Sequence, residues 1–345
     1  MNMKKNLIFL VIAVQSLLVI SCNKDDMERE RTESVIGTVC TVNAFGDGSK
    51  ILYDEIFTRL HQIDSEFSLN IDTSDVCRIN ACAGKTKVSV CHDVFYVVQK
   101  SLYYAELSKG AFDPTIGPVV KLWNINSDNP YVPEKSELDD IMPLVNYRNV
   151  ILDDKDSSVF LTEKGMCLDL GAIAKGYAAD EIAVILDKYK VRQAVIDLGG
   201  NIYVYGIKKD KSMWNVGIKD PYQTRGDPAL VLSCAKDKSI VTSGIYERFF
   251  ERDGNFYHHI LDTSTGYPYK TDIMSSTIIA SSSLDADALS TISFILGYKD
   301  FSPIARKENV SWIYIDRDKK VYASKDLKDN LDFYNSEYSD IRFID

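Results

Sequence analysis

Apolar residues recur at helical spacing in four stretches of the chain. In "ILYDEIFTRLHQIDSEF" (51–67), Leu52, Ile56, Leu60, Ile63 and Phe67 fall on one face. A second amphipathic helix is predicted from about His92 to Lys109. It stops at Gly110, a residue suited to a left-handed C-cap. "LDLGAIAKGYAADEIAVIL" (168–186) supplies a third, with Ile173, Tyr177, Ala178, Ile182, Ile185 and Leu186 along one side, and Leu284 to Leu296 a fourth, capped by Gly297. Strand patterns fill the spaces between. "TVCTVNAFG" (38–46) alternates, and "AVIDLGGNIYVYG" (194–206) reads as strand, Gly199-Gly200 turn, strand. "WNVGIKDP" and "SSTIIASSS" are single strands, and "ALVLSCAKDKSIVTSG" (229–244) reads as a hairpin turning near Asp237. The Asn-, Asp- and Pro-rich segment 122–150 reads as loop with one short helix. Helices and antiparallel hairpins are mixed without regular βαβ alternation, and no internal repeat appears, so the fold class is α+β.

The N-terminus carries a different pattern. Lys4 and Lys5 precede an apolar run from Leu7 to Ile20, broken only by Gln15 and Ser16. The run is short of the roughly 20 residues of a membrane span and has the layout of a secretory signal. It ends in "VISC", which resembles the bacterial lipobox, where the cysteine is diacylated and becomes the mature N-terminus; a plain signal peptide with an incidental Cys22 is the alternative. Residues 23–34 are charged and aperiodic, as in a solvated tether. The expected organisation is therefore a leader (1–21), Cys22 with its tether (22–34), and one folded unit (35–345). A net charge of −10 without a basic stripe argues against nucleic acid as a partner. Apart from Cys22 there are six cysteines; in an exported chain they permit disulfides or free buried thiols, and spacing cannot choose.

Several short constellations could carry chemistry. "LDADALSTISFILG" places Asp287 and Thr291 one helical turn apart on one face, hard oxygen donors suited to Mg²⁺. Alone, such a pair more often provides N-terminal charge and helix back-bonding. "GAFDPTIGPVVKLW" (110–123) is constrained backbone around Asp113, suited to a binding loop; Phe112 and Trp123 could stack on a planar ring or anchor a core. In "HHILDTSTGYP" (258–268) two histidines adjoin a hydroxyl-rich turn, so one of them is a candidate general base. Gly171 and Gly176 have Walker A spacing, but the lysine, Lys175, precedes the second glycine and no Ser or Thr follows it. Exposed N–H groups at that helix start, with Asp169 and Lys175 nearby, could still hold a phosphate. No G-x-S-x-G elbow is present, which argues against ordinary serine hydrolysis.

In their order along the chain, "DSEFSLN…RIN", "GAFDPTIGPVVKLW", "LDLGAIAKGYAAD", "VIDLGGNIYVYG", "VTSGIYERFF", "HHILDTSTGYP" and "DADALSTISFILG" resemble the FAD:protein FMN transferase (ApbE-type) family, from about Ile36 to Gly297. The resemblance implies an ApbE-like α+β fold of mixed and antiparallel sheets with packed helices. It also implies a Mg²⁺-dependent enzyme that moves the FMN half of FAD to a threonine of a target protein and releases AMP. Targets in the family carry an [Asp/Ser]-Gly-[Ala/Ser]-Thr motif, often in flavin subunits of membrane redox complexes. Carried over by motif, Asp287, Thr291 and the Ala172 carbonyl would bind Mg²⁺. Ile36, Asn70, Ala111, Phe112, Asp113, Asp169, Lys175 and Leu261 would line the FAD site, and His259 would deprotonate the threonine. Many members are envelope lipoproteins, consistent with lipid anchoring outside the cytoplasm.

This chain departs from the pattern at three positions. Asn70 stands where many members have Tyr, Lys175 where some relatives are acidic, and Thr263 where Pro is common. The first two are expected to open the diphosphate site to water and add FAD pyrophosphatase activity. A dedicated FAD pyrophosphatase and a non-catalytic flavin-binding lipoprotein are the competing readings.

Overall fold

The strand patterns of the sequence assemble around one large sheet whose alternate residues feed two different cores. The computed structural model describes residues 29–345, apart from 126, 224 and 225. The sheet has nine strands in an order that follows the chain: Glu30–Val35, Thr38–Asn43, Gln193–Leu198, Asn201–Gly206, Lys238–Gly244, Ile273–Ala280, Ser311–Asp316, Val321–Ser324 and Ile341–Ile344. All neighbours are antiparallel except the last pair. On one face Val42, Ile196, Ile278 and Trp312 pack with a helical layer. On the other, Val204, Ile240, Ile279 and Ile313 pack against a three-stranded sheet containing Trp214–Ile218, Leu230–Cys234 and Leu331–Phe333. Adjacent residues such as Ile278 and Ile279 thus enter opposite cores, as a two-residue period requires.

Seven helices occur among the described residues: α1 (Lys50–Phe67), α2 (Asp75–Ala81), α3 (His92–Leu107), α4 (Gly117–Trp123), α5 (Lys135–Ile141), α6 (Ala174–Lys188) and α7 (Ser283–Glu308). The four sequence-predicted helices correspond to α1, α3, α6 and the first part of α7, and α5 is the short helix expected within 122–150. Gly297 interrupts α7 at φ 69°, as its reading as a cap required. Serine side chains start three helices: Ser49 accepts from Leu52 N at 3.3 Å, Ser74 from Cys77 N at 3.0 Å and Ser282 from Asp285 N at 3.2 Å.

The structure corrects three expectations and decides a fourth point that the sequence left open. The folded unit begins at Glu30, within the segment read as tether, because polar residues 30–34 form an edge strand that pairs with Thr38–Asn43. Segment 229–244 is not a hairpin. Asp237 does turn (φ 55°), but Leu230–Cys234 joins the small sheet while Lys238–Gly244 has both edges occupied in the large one. The latter half of the 110–123 loop is helical, with Pro118 in the first turn where its missing N–H costs nothing. The cysteines 40, 77, 82, 91, 167 and 234 are free thiols. The leader and Cys22 lie outside the described residues.

Candidate active site

α7 meets the large sheet through paired hydroxyls as well as apolar side chains. Ser239 donates to Ser283 Oγ at 2.9 Å, Ser243 and Ser290 share a bond of 2.8 Å, and Ser276 pairs with Ser293. Directional bonds spread over about three turns set the rotation of α7 about its axis more sharply than apolar contact alone does. From α6, Asp180 caps α7 by accepting from Ser283 N (2.7 Å), Leu284 N (3.0 Å) and Ser282 Oγ (3.0 Å). The two helix starts approach so closely that a Cβ on Gly176 would lie 2.2 Å from the Ser283 carbonyl oxygen. The Gly176 N–H in turn donates to Asp287 Oδ2 at 2.9 Å.

These contacts aim Asp287 and Thr291 into a cavity of about 530 Å³ between α7, the 110–116 loop, the 169–175 turn, and the 242–248 and 259–263 segments. Asp287 is almost wholly buried, and its Oδ1 lies 3.5 Å from Lys175 Nζ. Ala172 and Thr291 complete a set of carboxylate, hydroxyl and backbone oxygens on the cavity wall. Among the described residues no cluster of three His, Cys, Asp or Glu is fit to enclose a metal. One carboxylate with hard neutral oxygens suits an ion that keeps waters and shares a phosphate, which is Mg²⁺ behaviour.

His258 and His259 are separated by the tertiary structure. His258 is buried, packs edge-on against Phe294, donates from Nε2 to the Tyr269 carbonyl (3.1 Å) and accepts Ile260 N–H on Nδ1 (3.3 Å). Both ring nitrogens are occupied, so it is structural. His259 lines the cavity. Its Nδ1 lies 3.1 Å from the Arg248 carbonyl, which can only accept, so the proton sits on Nδ1 and the lone pair on Nε2. Burial, then the neighbouring Arg248 cation, push its pKa down to about 3.

Asp113 works as a bracket. Oδ1 accepts from Thr115 N (2.8 Å) and Thr115 Oγ1 (2.6 Å), and Oδ2 from Tyr147 N (2.9 Å). Burial raises its pKa even so, and these bonds oppose the rise. Asp169 similarly closes its own turn onto Gly171 N (2.8 Å), and its pKa is also raised by burial. Thr263, the residue in place of proline, donates to the Gly110 carbonyl at 2.6 Å and ties the histidine segment to the 110–116 loop.

With the cavity's histidine, oxygen donors and bracketed loop all drawn from the matched segments, the comparisons become decisive. The ApbE family model matches residues 36–314. The chain belongs to the ApbE family. It is 42% identical over 322 residues to a FAD:protein FMN transferase of Treponema pallidum, covering 88% of this chain and 89% of that protein. It is 36% identical over 275 residues to one of Klebsiella pneumoniae, covering 79% and 84%. An ApbE crystal structure from Thermotoga maritima superposes with a TM-score of 0.77 at 32% identity, covering 85% of this chain and 95% of that one. A flavin transferase ApbE from Vibrio cholerae gives 0.78 at 25% identity, covering 87% and 98%.

Ten residues expected at the ApbE site line one cavity: Ala111, Phe112, Asp113, Asp169, Ala172, Lys175, His259, Leu261, Asp287 and Thr291. Ile36 and Asn70 do not. Ile36 takes a left-handed φ of 49° and is partly buried against the main core, and Asn70 is exposed in the turn after α1. The aromatic stacking expectation also changes. Trp123 is fully buried, donating to the Gly266 carbonyl at 2.6 Å, and Phe112 is only 5% exposed, so both anchor cores. The helix start holds no phosphate loop either. The N–H groups of Gly171, Ile173, Ala174 and Gly176 are engaged by Asp169, Leu170, Leu170 and Asp287. Positive charge comes instead from the side chains of Lys175, Lys219 and Arg248, the last two not anticipated from sequence. Arg248 lies within "VTSGIYERFF", which entered only as one of the motifs carrying the resemblance, and Lys219, just past a strand end, carried no signal of its own.

Proposed function

We propose that this ApbE-family chain is a Mg²⁺-dependent FAD:protein FMN transferase acting on a threonine in an [Asp/Ser]-Gly-[Ala/Ser]-Thr motif, anchored to a membrane of the cell envelope through Cys22. The observation that carries this reading is a neutral His259, its proton turned to the Arg248 carbonyl, in the same cavity as Asp287, Thr291 and Lys175. Asp287, Thr291 and the Ala172 carbonyl would hold the ion, which when bound supplies charge neutralisation of the diphosphate. The threonine Oγ bonds to the phosphorus of the FMN half, the bond from that phosphorus to the bridging oxygen breaks, and AMP leaves with that oxygen. His259 Nε2 receives the hydroxyl proton.

The depressed basicity of His259 fits this role. Arg248 and Lys175 both disfavour its protonation. An anionic diphosphate beside those cations offsets them, so the imidazole becomes a better base when the substrate is in place. Water reaching the same phosphorus would give FMN and AMP.

The test uses protein starting at about Asn23, which retains the Glu30–Val35 edge strand. It is incubated with FAD, Mg²⁺ and a domain bearing Asp-Gly-Ala-Thr. Covalent flavin fluorescence on the denatured domain is the expected result. AMP and FMN without labelled domain would make the protein a pyrophosphatase, and no AMP at all would leave a binding role. Replacement of Cys22 by Ala with loss of membrane fractionation tests the anchor.

A further inference from the structure

Four buried side-chain atoms in the described residues lack a hydrogen-bond partner: Glu66 Oε2, Tyr104 OH, Ser158 Oγ and Asn201 Nδ2. Of these four residues only Asn201 lines the cavity. It is 1% exposed, and its backbone is pinned on both sides, opposite Leu198 and Val241 in the large sheet. The amide orientation follows from a chain of hydroxyls. Ser239 Oγ faces two acceptors, Ser283 Oγ at 2.9 Å and the Ile202 carbonyl at 3.5 Å; the much shorter contact takes its proton, which leaves the Ser283 proton for Asn201 Oδ1, also at 2.9 Å. The amide oxygen is therefore satisfied and the –NH₂ group is the one left over. Native proteins rarely retain a buried donor with no acceptor, and when it borders a cavity the missing acceptor is expected from a ligand.

The backbone preceding Asn201 is also bare. Gly199 and Gly200 hold φ of 64° and 92°. A Cβ on Gly199 would strike Thr38 Oγ1 at 2.0 Å, whereas one on Gly200 would meet nothing within 4 Å. Asn201 is linked through Ser283 to the first turn of α7, one turn before Asp287, and both Asn201 and Asp287 line the same cavity.

We infer that Asn201 Nδ2 is a diphosphate-binding donor that holds an anionic phosphoryl oxygen of a bound dinucleotide. This rests on the FAD-dependent reading of the site and adds a contact supplied by the Gly199–Gly200–Asn201 turn. Asn201→Asp is the informative variant, because it keeps the acceptor for Ser283 and the side-chain shape while exchanging the donor for an anionic oxygen.

FAD, ADP and riboflavin are titrated against wild type and Asn201→Asp, with EDTA and with Mg²⁺, and melting is followed without nucleotide. The expected result is a loss of FAD and ADP affinity of roughly ten- to hundredfold under both conditions, since a hydrogen bond to a charged group is removed and repulsion added. Riboflavin affinity stays close to wild type. Unchanged FAD and ADP affinity overturns the inference. An equal loss for riboflavin assigns the donor to the flavin ring and also overturns it. If Asn201→Asp fails to fold, Asn201→Ala is read the same way, and a lowered melting temperature with unaltered ADP affinity there shows a structural amide and refutes the proposal. A wild-type protein that binds ADP but not FAD would sink the transferase reading while leaving the Asn201 comparison on ADP intact.

Discussion

Gly176→Ala tests the idea that Asp287, the carboxylate proposed to hold Mg²⁺, is placed by the contact between two helix starts. The added methyl would lie 2.2 Å from Ser283 O, 2.6 Å from Ser283 C and 2.7 Å from Asp287 Cβ. Two of these atoms are backbone, so no flexible side-chain end can swing aside. Restoring ordinary contact separates α6 from α7 by about 1 Å, which is the kind of overpacking that costs about 1–3 kcal/mol. The same displacement stretches the Gly176 N–H bond to Asp287 and the three bonds by which Asp180 caps α7. A charge-assisted bond contributes about 1.5–3 kcal/mol and a cap about 1. These are not additive, and Ala returns about 1 kcal/mol of helix propensity over Gly. A net destabilisation of about 3 kcal/mol follows, or a fall in melting temperature of about 6–10 °C for a domain this large. Because Asp287 moves with the first turns of α7, AMP release from FAD with Mg²⁺ should fall about a hundredfold, the usual consequence of misplacing a catalytic group by about 1 Å. Thermal melting and AMP release on the purified variant measure both. A melting point within about 1 °C of wild type, or AMP release within twofold, would refute this account of the helix contact.

His259→Gln should leave FAD binding intact and reduce labelling of the acceptor domain by about 10²–10⁴-fold, measured by covalent flavin fluorescence; retained labelling removes His259 as the base. Stability should carry a histidine signature. Burial lowers the pKa of His258 to about 4, and burial with Arg248 lowers that of His259 to about 3, both below the ordinary imidazole value of 6.5. The unfolded chain therefore binds more protons than the folded one between those values. Stability contributed by each neutral ring is full above about pH 6.5 and is lost as pH falls, by up to about 1.4 kcal/mol per pH unit. Raised carboxyls such as Asp113 and Asp169 act in the opposite direction, their penalty easing as pH falls. The readout is thus a difference: denaturant melts of His258→Phe should show a shallower decline from pH 6.5 to 4 than wild type, and parallel curves would contradict the burial of a neutral His258.

Most of the helices could be read directly, because an amphipathic helix declares its buried stripe locally. Leu52 through Phe67 and Ile173 through Leu186 are examples, and the buried residues of α1 and α6 follow those stripes. The strands were legible one at a time, but their partners were not. Leu230–Cys234 and Lys238–Gly244 look like a hairpin in isolation, and they part because strands distant in sequence occupy both edges of the second. Likewise 30–34 reads as tether until an edge strand claims it, since pairing satisfies backbone groups whatever the side chains are.

For the site, residue type and motif order alone singled out His259, Asp287, Thr291 and Lys175, and the fold brings all four to one cavity. What the tertiary structure decided is which polar groups remain free to act. Adjacent histidines became one structural ring and one cavity ring only when Tyr269, Ile260 and Phe294 closed on His258. The glycine-rich helix start offers anion-binding N–H groups on paper, and Asp169, Leu170 and Asp287 consume them in space. Asn201 carried no warning at all, for its significance lies in a donor left without a partner after every neighbour is in place. Local pattern reports what a residue could do. Burial and hydrogen-bond satisfaction depend on groups distant in sequence, so the choice among those possibilities belongs to the folded chain.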